Sequence, residues 1–95
     1  MKITFEGQLK NLEDVNMEDG FISRQIGNIL ATEKSELDTV KSYILAQALY
    51  KNESIDVEKD TLEKIKKVVD GSASFPVFVK AQMIIAIDEQ LAKYE

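Results

Sequence analysis

Residues 2–10 alternate, with Ile3, Phe5, Gly7 and Leu9 on one side and Thr4, Glu6, Gln8 and Lys10 on the other. Period two with β-branched and aromatic members predicts a half-buried strand. Asn11 to Gly20 is polar and acidic, broken only by Leu12, Val15 and Met17. It reads as a loop, or as a turn followed by a second short strand. From Phe21 the period changes. Ile22, Ile26, Ile29 and Leu30 recur at helical spacing, with Asp19 as a start signal and Gly27 as a weak point. A second helix is expected from an N-cap at Ser35 to about Lys51, with Leu37, Val40, Ile44 and Ala48 as its main stripe. After the break at Asn52–Ser54, Ile55 and Val57 are placed to pair briefly with the first strand. Asp60 to Glu63 reads as a capping box opening a third helix, which buries Leu62, Ile65, Val68 and Val69 and stops at Gly71. Pro76 suits the first turn of a fourth helix running to about Tyr94.

These elements define one α+β domain over residues 1–95, mainly helical, with about four helices and a small N-terminal antiparallel β element. A chain of this length buries about 65% of its extended surface, enough for one modest core. Two helices carry more apolar surface than such a core absorbs. Between Tyr43 and Tyr50 only Gln47 is polar. On the fourth helix Val77, Ala81, Ile84, Ile85, Ile87 and Leu91 form one broad side, and Phe78, Val79, Met83 and Ala86 extend it nearly all the way round. A helix apolar on most of its circumference is normally enclosed. One such helix can be surrounded here; two cannot easily be. The surplus points to a contact surface for a second copy or another protein, with Leu45, Leu49, Tyr50, Phe78 and Met83 as the expected interface. The competing reading is a fully monomeric core, since several of these residues are alanines or tyrosines that tolerate partial exposure.

Composition narrows the chemistry. The chain has no histidine and no cysteine. Thiolate nucleophiles, imidazole acid–base catalysis, disulfides and Cys/His zinc sites are therefore outside its repertoire. Twelve Lys+Arg against seventeen Asp+Glu leave a formal charge of −5, unfavourable for gripping a phosphate backbone. Residues 1–20 and 52–60 each carry −3, whereas residues 21–51 sum to +1. The adjacent acid pairs Glu13/Asp14, Glu18/Asp19 and Asp88/Glu89 diverge on any regular element and read as solvated surface. Asp56 to Asp60 opens like a calcium loop, but Thr61 and Lys67 stand where glycine and glutamate are required. The lysines at 59, 64, 66 and 67 are interleaved with acids at 58, 60, 63 and 70, as on a wet helix face. Lys80 and Asp88 interrupt the apolar arc of the fourth helix and read as structural polar contacts. No Walker or dinucleotide motif is present, so neither a cofactor nor a metal is expected, and catalysis is not expected either. Met1 to Glu6 reaches an acid within six residues, and the longest apolar run is Met83 to Ile87. A cytoplasmic location without membrane insertion is the expectation.

The opening Met1–Gly7, the stretch Leu45–Tyr50, the Ser54–Val57 lead into a capped helix, and Pro76 with Lys80–Gln82 together resemble small proteins encoded by tailed phages and prophages. The resemblance is spread along the whole chain and no single motif carries it. It implies an accessory protein without catalysis, acting in particle assembly or on a host target. The leading expectation is an interaction protein that self-associates or docks a partner through its apolar helices. The alternative is an acidic inhibitor occupying the nucleic-acid site of a host binding or defence protein.

Overall fold

The computed structural model describes residues 1–94. Its elements run β1 (Lys2–Ile3), β2 (Gln8–Lys10), β3 (Asn16–Phe21), α1 (Ile22–Thr32), α2 (Thr39–Tyr50), β4 (Ile55–Asp56), α3 (Lys59–Asp70) and α4 (Val77–Leu91), closed by a 3₁₀ turn at Ala92–Tyr94. The fold is α+β and mainly helical, with four α-helices among the described residues. The alternating N-terminal segment is divided between two antiparallel pairs. β1 pairs with β4 through Ile3 opposite Ile55, and β2 forms a hairpin with β3. Between them lies Gly7 at φ +98°, a backbone conformation that side chains rarely adopt, and the chain changes direction there. Ile3, Phe5 and Leu9 remain on the buried side across this break.

The hairpin turn is built by Asn11, whose Oδ1 accepts from the backbone N–H groups of Glu13 and Val15. The far edge of β2 is also satisfied. The Gln82 side-chain amide on α4 accepts from Lys10 N at 2.8 Å and donates to Lys10 O at 2.7 Å, imitating a neighbouring peptide. Gln82 thus ties α4 to the hairpin. Gln82→Ala is expected to cost about 1–2 kcal/mol in urea unfolding. Gln82→Glu keeps only the accepting half and should fall between.

Ile22, Ile26, Ile29 and Leu30 of α1 and Leu62, Ile65, Val68 and Val69 of α3 all face the core, as their spacing predicts. The starts of several helices differ from the sequence expectation. Asp38, not Ser35, caps α2, its carboxylate accepting from Val40 N and Lys41 N. Helix α1 begins after Phe21, and Asp19 instead pairs with Arg24 at 2.8 Å. Helix α3 begins at Lys59 after Glu58, without a side-chain cap. Asn52, at φ +59°, ends α2: its own N–H reaches Leu49 O and the N–H of Glu53 reaches Ala48 O.

The greater departures concern which arcs of α2 and α4 face inward. Helix α2 buries Ser42, Leu45, Ala46 and Leu49, while the expected stripe residues Val40 and Ile44 point to solvent. Helix α4 buries Val79, Met83, Ile87 and Gln90, and leaves Val77 and Ile85 outside. Two contacts close the C-terminal region. Buried Ser72 in the α3–α4 connector donates to the Glu33 carboxylate after α1. The Tyr94 hydroxyl donates to Val57 O at 2.6 Å.

Burial, then the carboxylates of Asp56 and Glu58, hold the Tyr94 phenol above its ordinary pKa. A group whose folded pKa is raised contributes stability that is complete below the unfolded value, about 10, and lost as pH rises through the folded one. Tyr94→Phe is therefore expected to cost about 1 kcal/mol at neutral pH and to flatten the alkaline limb of the stability profile.

Candidate functional site

Side-chain chemistry is sparse. Among the described residues no group of three or more acidic side chains is gathered where a metal ion would sit. A hollow of about 260 Å³ lies between the α1–α2 loop and α3, lined by Glu33, Lys34, Glu36, Lys64 and Lys67 among others. Four of these five charged side chains have a partner: Glu36 and Lys67 pair with each other, Lys64 with Asp60, and Glu33 accepts from the Ser72 hydroxyl. Lys67 Nζ lies 2.7 Å from Glu36 Oε1 and Lys64 Nζ lies 3.1 Å from Asp60 Oδ2. The hydrogen bond and charge of Lys67 lower the pKa of Glu36, with Lys64 adding to the effect and slight desolvation and Asp60 opposing it. That is an exposed ion pair, of little energetic weight. Asp88, which interrupts the apolar arc of α4, pairs with Lys66 of α3 at 2.8 Å.

The notable feature is apolar. On α2, Val40, Tyr43, Ile44 and Tyr50 are 63%, 60%, 57% and 49% exposed. Their spacing, with Gln47 between, places them along one stripe of the helix. On α4, Val77 and Ile85 are 83% and 57% exposed, with exposed Ala81 between them on the same arc. The four α2 side chains together present on the order of 400 Å², within the range of the largest patch on a typical monomer and often functional.

Beside the α2 stripe runs a seam between α1 and α2. Its depth begins with Gly27. A Cβ there would lie 2.9 Å from Ala46 O and 3.0 Å from Tyr50 N, so only glycine lets the two backbones come this close. Two hollows of about 230 and 750 Å³ lie along the seam, sharing Ala31 and Tyr43 in their walls. The smaller is bounded by Gly27, Asn28, Ala46, Gln47, Tyr50 and Lys51 as well. At its end the Arg24 guanidinium sits between two rings, 4.9 Å from the centroid of Tyr50 and 5.5 Å from that of Phe21. Arg24 Nε also donates to Tyr50 O at 3.2 Å, fixing the Tyr50 end of the stripe.

The five expected interface residues divide. Leu49 and Met83 are fully buried and Leu45 is 8% exposed, so these three belong to the chain's own core and have no surface to offer a partner. Phe78 is half-buried against that core. Tyr50 alone of the five stands on an exposed apolar face. Val40, Tyr43, Ile44, Val77 and Ile85 are not among the expected interface residues. The pattern places Val40 and Ile44 on the main stripe of their helix and Val77 and Ile85 on the broad apolar side of theirs, yet all five are exposed. Their signal was diluted because both helices are apolar almost all round. The pairing of Gly27 with Ala31 four residues on was the available hint, since two small residues on one helical face open a groove. Comparison with protein-family models, curated proteins and solved structures gives no match. No helix of the described residues is long and apolar enough to cross a membrane.

Proposed function

We propose that this is a non-enzymatic protein–protein interaction protein that self-associates or docks a protein partner through the outer apolar faces of α2 and α4. The observation that carries the reading is the exposure of Val40, Tyr43, Ile44 and Tyr50 beside a seam that Gly27 deepens. Monomeric surfaces scatter single apolar residues; they seldom align four on one helix. The acidic side chains favour this over mimicry of a phosphate track. Asp14, Asp19, Glu36, Asp56, Asp60 and Asp88 each lie in an ion pair, on different elements. An accessory role in a phage particle or on a host protein fits the same surface.

The test is light scattering after size exclusion, from micromolar to millimolar concentration. It compares wild type with Tyr43→Ser/Ile44→Ser on α2 and Val77→Ser/Ile85→Ser on α4. Wild type is expected to gain mass with concentration, and at least one variant to lose that gain while keeping its folding stability within about 0.5 kcal/mol. A monomer mass for wild type at every concentration would remove self-association, and an equal gain of mass in all three chains would remove these two faces as its site. Unfolding of the variants would show that these residues serve the core.

A further inference from the structure

We propose that α2 pairs with the α2 of a second copy of this chain, antiparallel about a twofold axis near Ile44 and Gln47, each copy's Val40 and Ile44 seating in the other's α1–α2 groove. The inference rests on the reading above and adds the partner, the face and the orientation.

Three observations select a second copy. The first is shape. An isologous contact requires one surface to carry both a projection and the recess that receives it. Here the ridge of Val40 and Ile44 stands directly beside the hollow walled by Gly27, Ala31, Tyr43 and Tyr50. The second is net charge. Two chains of −5 repel, but residues 21–51, which form α1 and α2, sum to +1, and no carboxylate lies on the stripe from Val40 to Tyr50. Two copies therefore meet at little electrostatic cost through this third of the chain. The third is polarity along the helix. Asp38 stands at the start of α2 and Lys51 at its end, and neither makes an ion pair among the described residues. Helix α2 is about 18 Å long. Antiparallel pairing about its middle brings Lys51 of each copy to Asp38 of the other and opposes the two helix dipoles. Parallel pairing would set like charge against like at both ends.

The cysteine-free chain permits a direct test. Gln47→Cys places one thiol beside the proposed axis, on an exposed side chain, and Glu89→Cys places one on α4 as a control. Under mild oxidation Gln47→Cys is expected to become a covalent dimer at least about tenfold faster than Glu89→Cys. Sedimentation of Ile44→Glu is expected to show a dissociation constant raised about 30-fold or more, with Ile85→Glu unchanged. If wild type dimerises but only Ile85→Glu disrupts it, the self-association reading stands and the α2 pairing is overturned. Equal oxidation of both cysteine variants also overturns it. A wild type monomeric at millimolar concentration overturns both the pairing and self-association.

Discussion

Leu49→Ala is expected to lower the unfolding free energy by about 3–4 kcal/mol, most of what a chain of this size can lose and stay folded. The side chain is fully buried where α2 crosses α1, and its carbonyl accepts from the buried Ser23 hydroxyl at 2.8 Å. Shortening it opens a cavity against Gly27, whose backbone has no side chain to fill the space. The thermal midpoint should fall by about 15–25 °C at this chain length. The measurement separates two readings of the same residue. As core, Leu49 governs the stability of the monomer; as interface, its loss would weaken association and leave the monomer's melting unchanged.

Gly27→Ala is the second large effect, and its sign is informative. In an exposed helix this substitution gains up to about 1 kcal/mol of helix propensity. Here the new methyl would meet Ala46 O at 2.9 Å, Tyr50 N at 3.0 Å and Leu49 Cβ at 3.3 Å. Two of the three are backbone atoms of α2 and cannot swing aside, so the helices must move apart. Overpacking costs about 1–3 kcal/mol, and the net expectation is destabilisation of about 1–2 kcal/mol in urea unfolding. A stabilised variant would mean that the α1–α2 approach is looser than described.

What the sequence made legible follows from amphipathicity. Helices α1 and α3 have one apolar face each, and every core residue expected of them is buried. The pairing of Ile55 with the first strand was legible too, because a short apolar pair in a polar stretch has few other places to go. Helices α2 and α4 defeated the same reasoning. When apolar residues surround a helix, the pattern says that it contacts something on most sides, but not which arc the core claims. The choice is made by tertiary contact: Gly27 admits the Ala46–Leu49 side of α2, and the tie from Gln82 to Lys10 turns α4 towards the hairpin. Both are long-range relations that no local period encodes. The surplus was therefore visible on these two helices, while its residues were not. Leu45, Leu49 and Met83 went inward, and Val40, Ile44, Val77 and Ile85 were left outside.

The most direct test is a dilution series followed by methyl and aromatic NMR. If the outer face of α2 joins two copies, the Val40 and Ile44 methyls and the Tyr43 and Tyr50 rings will shift with concentration. The Met83 and Ile87 methyls, fully buried in α4, will stay still. Unchanged spectra across the series, or shifts confined to Val77 and Ile85, would contradict the assignment of that face.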